Sequence, residues 1–166
     1  MRSIEAGEDL IDVRDVIERV EELETERQNL VDTIAEAEEN LMDANDDTSV
    51  LKTDESELEE LWQKIADART DLESWDEESL EAEELKIFMA LLEDLKGGGG
   101  DEEWRGDWYP SSLINDSYFE TVMDELLEDI GLPKDIPSYL TIVVDYDALR
   151  EDYSSVEYDG FTYWYR

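Results

Sequence analysis

Histidine and cysteine are both absent from the 166 residues. Their absence removes the usual general base near neutral pH, thiol nucleophiles, disulfides and the best zinc and iron ligands. Without cysteine the chain carries no record of redox compartment. Proline occurs only three times. The opening MRSIEAGEDL has no apolar core of signal-peptide length, and no run approaches the roughly 18 residues of a membrane span. A cytoplasmic protein is expected.

Positive charge is scarce as well. Lys and Arg number 13 against 50 Asp and Glu, a formal net charge of −37, far beyond the magnitude of roughly 2–8 that keeps a small domain soluble. Like charge at this level works against the compact state. A disordered acidic tail would lack aromatics, yet five Trp and eight Tyr are present and 40% of the residues are hydrophobic. A folded protein with an acidic exterior follows. Nucleic acid and anionic membranes would be repelled, so the expected partner is a basic protein.

The expected fold class is α+β, mainly α: an acidic coiled-coil helical hairpin or bundle over residues 1–96, a Gly-rich linker over 97–103, and a small α+β domain over 104–166. A long helix is expected over about residues 8 to 44, where Val13, Val16, Val20, Leu23, Leu30, Ile34 and Leu41 hold alternating three–four spacing. Arg27 is the polar intruder on this seam, which is also the candidate oligomerisation face of a homodimer. Leu58, Leu61, Ile65, Ala68, Leu72 and Trp75 predict a second helix over about 54 to 73. The phase shift after Trp75 predicts a turn at SWDEES and a third helix to about residue 95. Gly97 to Gly100 predict a flexible joint.

Further on, Trp104, Trp108 and Tyr109 read as a loop, and Ser112 as the cap of a helix over about 113 to 130 ended by Gly131. Tyr139 to Val144 is a β-branched run read as a strand, and Asp145 to Tyr153 reads as a short helix. The closing SVEYDGFTYWYR reads as a hairpin turned at Asp159-Gly160.

Charge density is the central functional signal. Residues 8 to 43 carry 14 acidic and three basic side chains, and residues 54 to 95 carry 16 and three. If the segments pair over about 54 Å, the net −24 amounts to about one charge per 2.2 Å, against one per 1.7 Å of duplex DNA. An ordinary coiled-coil surface mixes Glu with Lys at i, i+4, and here the cations are too few. On the helical part, Glu18, Glu21, Glu22, Glu36, Glu39, Glu57 and Glu60 are candidates to present phosphate-like charge.

Other chemistry is weaker. Asp43, Asn45, Asp47 and Asp54 match positions 1, 3, 5 and 12 of a calcium loop, but Thr48 replaces the turn glycine and Asp54 the bidentate Glu. GGGG lacks the Lys-Ser/Thr of a phosphate loop, and no carboxylate pair stands out for acid–base work. No enzyme activity, cofactor or resident metal is expected.

The stretches SLINDSYFETVMDELLEDIG (112–131) and VDYDALREDYSSVEYDGFTYWYR (144–166) resemble the C-terminal part of ArdA-type antirestriction proteins, which are carried by phages and mobile elements. An acidic helix, an aspartate-aromatic-x-alanine helix and a terminal aromatic hairpin with Asp-Gly carry the resemblance, over about a third of the chain. It implies a dimeric DNA mimic without catalysis, occupying the DNA-binding groove of a host restriction–modification enzyme of type I. Within the resembling part, Asp116, Glu120, Asp124, Glu125, Glu128, Asp129, Asp145, Asp147, Glu151, Asp152, Glu157 and Asp159 are the carboxylates expected to stand in for phosphates. The alternatives are a DNA mimic aimed at another host DNA-binding enzyme (recombination nuclease, RNA polymerase, nucleoid protein) or an acidic coiled-coil adaptor.

Overall fold

The computed structural model describes residues 4–46, 55–133 and 135–166. The heptad stripe does form a long helix from its first residue, Val13, but residues 8 to 12, expected to begin that helix, do not join it. Leu10–Asp12 is instead a short strand, β1, and helix α1 runs Val13–Asp46, about 51 Å at 1.5 Å per residue. The carboxylate of Asp12 accepts a hydrogen bond from the Arg14 amide (2.9 Å), meeting one of the free donors at the helix start. Helix α2 spans Glu55–Glu78 and α3 spans Leu80–Leu95. Ser79 separates them: its Oγ accepts from the Ala82 amide (3.0 Å) and donates to the Trp75 carbonyl (2.6 Å). The expected interruption is therefore a single capping residue rather than an extended turn.

The remaining elements are β2 (Glu102–Trp104), β3 (Asp107–Tyr109), β4 (Ser112–Asn115), a 3-10 turn at Asp116–Tyr118, α4 (Phe119–Ile130), α5 (Tyr146–Arg150), β5 (Ser154–Tyr158) and β6 (Phe161–Tyr165). The chain is mainly α with an antiparallel sheet, an α+β architecture. The sheet order is β1-β4-β6-β5, with Ile11 opposite Leu113, Ile114 opposite Trp164 and Val156 opposite Tyr163. The terminal hairpin turns at Asp159 and Gly160, both at positive φ (47° and 82°), as its Asp-Gly pair predicts. Asp145 caps α5 by accepting from the Ala148 amide.

The contacts divide the chain into two compact units: residues 1–18 with 88–166, and residues 19–87. This differs from the expected division into 1–96, 97–103 and 104–166. The reason is β1, which pairs with β4 and brings the N-terminus into the sheet. The glycines belong inside the first unit. The Gly97 amide donates to the Trp108 carbonyl (3.0 Å), and a Cβ on Gly98 would stand 2.7 Å from the Tyr165 ring. A Cβ on Gly100 would overlap the Tyr109 carbonyl and stand 2.5 Å from Pro110 Cα. Gly98 and Gly100 are required by close packing, and Gly97 and Gly99 by their positive φ, rather than by flexibility.

Three further local expectations change. Trp104, Trp108 and Tyr109 lie on a β-hairpin turned at Arg105 and Gly106, both at positive φ. The segment from Ser112 is strand before it is helix, because Leu113, Ile114 and Asn115 are buried in the sheet; Asn115, not Ser112, caps the turn into α4. Tyr139 to Val144 forms no strand and pairs with nothing in the sheet.

In the first unit α4 and α5 cover one face of the sheet, where Ile114, Phe119 and Met123 pack with Leu149, Tyr153 and Trp164. The Tyr158 and Tyr163 rings meet at a tilt of 46°, centroids 6.2 Å apart, and Phe88 of α3 lies 6.0 Å from the Tyr158 ring.

Candidate functional site: the acidic helical hairpin

The second unit holds residues 19–46 of α1 together with α2 and the start of α3. Arg19 pairs with Glu84, Arg27 with Asp76, and Arg69 with Glu38. As the α1 numbers rise, the partner numbers fall, so the helices run antiparallel. Val20, Leu23, Leu41, Ile65 and Ala68 are buried.

This answers the expectation of an intermolecular seam. Val13 and Val16 are buried in the first unit, and Val20, Leu23 and Leu41 in the second. Leu30 and Ile34 are partly buried. The stripe is filled by the chain's own residues, because a hairpin supplies the second helix at far higher effective concentration than a partner chain could.

The seam arginine has a defined role. Arg27 Nε and Nη2 reach Asp76 Oδ1 and Oδ2 at 2.7 and 2.9 Å, a bidentate fork. Hydrogen bonds from Arg27 hold the Asp76 carboxyl below its ordinary value, and the same bonds push the guanidinium up. Arg19 makes a similar fork on Glu84 (3.2 and 2.7 Å), and hydrogen bonding to Glu84 raises its pKa. Arg69 reaches Glu38 at 2.6 Å.

The consequence for charge is direct. Residues 19–87 carry 25 acidic and six basic side chains, a net −19. Three of the six cations are the arginines that clasp one helix to the other, and Lys86 sits 4.0 Å from Glu83. The 28 residues of α1 in this unit span about 42 Å. Net charge therefore falls about every 2.2 Å of axis, against 1.7 Å for duplex DNA. Glu21, Glu22, Glu36, Glu39, Glu57 and Glu60 are all exposed on this unit. Arg27 also lines a shallow groove with Glu21, Glu24, Thr25, Gln28 and Leu85.

The other candidate carboxylates lie in the first unit, Glu18 on α1 and twelve in the C-terminal segment, and all are exposed. Several are engaged within the chain. Asp116, Asp147 and Glu120 converge on Arg150 at 3.3, 3.3 and 3.9 Å. Asp116 also accepts from Trp164 Nε1 (2.8 Å), Asp124 from the Tyr146 hydroxyl (2.6 Å) and Glu157 from Thr162 (2.6 Å). That hydrogen bond to Asp124 is the main cause of the raised Tyr146 pKa. Among the described residues, Glu125, Glu128, Asp129, Glu151, Asp152 and Asp159 make no such bonds, and all six are exposed.

The sequence marked Arg27 as an intruder but did not show its partner; Arg19 and Arg69 were missed. Their signal was the scarcity itself, since rare cations in an acidic chain tend to sit where they bridge elements. Of the calcium-loop match, Asp43 and Asn45 are helical residues of α1, while Asp47, Thr48 and Asp54 lie outside the described residues. Among the described residues no acidic cluster is arranged to hold a metal ion, and no helix is long and apolar enough to cross a membrane.

No family model, no curated protein and no solved structure matches the chain.

Proposed function

We propose that the protein is a DNA mimic that competes with duplex DNA for the binding groove of a basic DNA-binding enzyme, with a host restriction–modification enzyme of type I as the favoured target. The observation that carries this reading is the hairpin of residues 19–87. Its few arginines clasp the two helices together, and its net charge per length approaches that of DNA. The target's Lys and Arg side chains, which otherwise neutralise phosphates, engage carboxylates instead. Long-range attraction speeds the encounter. The protein itself supplies no catalytic step, and works in the cytoplasm where the target enzyme meets DNA.

The test is competition on a purified type I restriction–modification enzyme. The protein should displace labelled duplex, and its own affinity should fall by orders of magnitude between 50 and 200 mM salt, as phosphate-like contacts do. Single Glu→Asp changes at Glu36, Glu39, Glu57 or Glu60 should leave affinity within about twofold, whereas removing several charges together should weaken it progressively. A partner that ignores both salt and competing DNA would refute mimicry.

One observation favours a second reading, an acidic adaptor. Trp62 on α2 and Met42 on α1 are 58% and 72% exposed. Adaptor binding would hinge on such anchors, so loss of partner binding in Trp62→Ala at unchanged charge would select it.

A further inference from the structure

Residues 136–144, IPSYLTIVV, are the longest run without a charged residue in a chain that is 38% charged. They lie between α4 and α5, and the described residues of 131–145 form no helix or strand. A stretch of that length without regular structure is uncommon inside a folded unit and usually has a function. Both of its ends are fixed. One leaves α4 at Gly131, whose amide donates to the Leu127 carbonyl (3.1 Å). The other enters α5, where the Tyr146 hydroxyl donates to Asp124 of α4 at 2.6 Å. Asp124 lies within two turns of the end of α4, so the segment leaves that helix and returns to it, as an Ω-loop does. Within the loop the Leu140 amide donates to the Pro137 carbonyl (2.9 Å), closing a turn with Ser138 and Tyr139 at its corners.

What this loop presents is apolar. Tyr139 is 83% and Val143 85% exposed, and Ile136, Leu140 and Ile142 are each at least 40% exposed. With roughly 100 Å² for each aliphatic side chain and roughly 200 Å² for the tyrosine, these five leave about 400 Å² of apolar surface in water. Single exposed apolar residues are ordinary, but five in one tethered loop mark a contact surface. The flanks are the reverse. Glu125, Glu128 and Asp129 on α4, and Asp135, Asp145 and Asp147 at the feet of the loop, are all exposed.

We infer that this loop docks into an apolar hollow edged with Lys and Arg on the same DNA-binding enzyme that the hairpin engages, an inference that rests on the mimicry proposed above. Charge selects the occupant. A second copy would bring the same carboxylate flanks against its own, and an anionic membrane is refused on the same ground. A basic protein surface with an apolar centre satisfies both the loop and its flanks. Because the loop is held at both ends and turned at Pro137–Leu140, little freedom remains to be lost on docking. Duplex DNA has no counterpart to it. The contact therefore adds affinity that salt does not screen, and lets the mimic stay bound where phosphate-like contacts have weakened.

Competition against labelled duplex on a purified type I restriction–modification enzyme, repeated over a salt series, separates the two contacts. The parent chain should remain bound at about 0.5 M salt, where the duplex has dissociated. Tyr139→Ala with Val143→Ala should weaken binding about tenfold or more at every salt and leave the slope of log affinity against log salt unchanged. Glu36→Gln, Glu39→Gln, Glu57→Gln and Glu60→Gln together should instead flatten that slope. Both loop positions face solvent, so the double variant should keep the parent's near-ultraviolet circular dichroism and Tm. The absence of native cysteine allows a second measurement. A solvatochromic dye on Thr141→Cys should shift to the blue when the enzyme is added, and the same dye on Ser74→Cys should shift less. If the parent fails to displace duplex even at 50 mM salt, mimicry falls and this inference with it. If the parent displaces duplex but the loop variant matches it at every salt, or the dye at 141 does not shift, the inference alone is overturned. A blue shift on raising the protein concentration without enzyme would assign the loop to a second copy, and one with phosphatidylcholine vesicles would assign it to lipid; either overturns the inference.

Discussion

Alanine substitution along Gly97 to Gly100 separates a flexible joint from a packed turn, because the two predict opposite signs. In a flexible joint each Gly→Ala change is neutral or stabilises by about 0.4–1 kcal/mol, through the lower entropy of the unfolded chain. The packed turn predicts a graded loss. At Gly99, φ is +84° and no atom lies within 4 Å of the point an added methyl would occupy. Left-handed backbone there costs about 1–2 kcal/mol, partly offset by the unfolded-state gain, for a net loss near 1 kcal/mol. Gly98 has no positive φ, but its added methyl meets the Tyr165 ring at 2.7 Å and the Leu95 carbonyl at 3.0 Å. Overpacking of this kind costs about 1–3 kcal/mol. Gly100 combines both penalties: φ is +115°, and the colliding atoms are the backbone of Tyr109 and Pro110, which cannot rotate away. A loss of about 3–5 kcal/mol is expected. At about 2–4 °C per kcal/mol for a chain of this size, Gly100→Ala should lower Tm by roughly 10 °C, Gly98→Ala by about half that, and Gly99→Ala by a few degrees. Thermal melts followed by near-ultraviolet circular dichroism, which reports the aromatic packing around Tyr109 and Tyr165, provide the measurement. A flat profile, or a Gly100→Ala variant as stable as the parent, would refute the packed turn.

Two other outcomes test the hairpin. Arg27→Ala should destabilise by about 1 kcal/mol, since the fork is bidentate but both partners are more than a third exposed; in Asp76→Asn the same change should cost clearly less, and equal costs in the two backgrounds would show no coupling. Asp76 has a lowered native pKa, so its contribution is full above the ordinary 3.8 and fades as pH falls through the lower native value; the Asp76→Asn penalty should be constant from pH 7 to 5 and vanish in stronger acid. Repulsion acts the other way: with net −37, the intact protein should melt higher at 1 M than at 0.05 M salt, and higher at pH 5 than at pH 7. A Tm unmoved by salt would mean that self-repulsion does not limit its stability.

Periodicity along α1 and α2 was legible because a three–four stripe has one good solution, a helix burying that stripe. The terminal hairpin and the α5 cap were legible for an equally local reason: Asp159-Gly160 suits positive φ at both turn positions, and Asp145 reaches its own helix start. Composition alone determined the acidic exterior, since 50 carboxylates cannot be buried. What depended on distant partners was not legible. Leu10–Asp12 has no strand signal of its own and becomes one by pairing with Ser112–Asn115 across a hundred residues. Tyr139 to Val144 has the signal and forms no strand, because a strand needs a neighbour to take its amides and carbonyls. Arg27 could be marked as an intruder, but whether it met a partner chain or Asp76 depended on which helix folded back and in what register. The glycine run looked alike at all four positions until Tyr165 and Tyr109 were placed beside it. Local propensity and total charge belong to the sequence itself; pairing, close approach and the choice between inner and outer faces arise only when segments far apart in the chain compete for the same contacts.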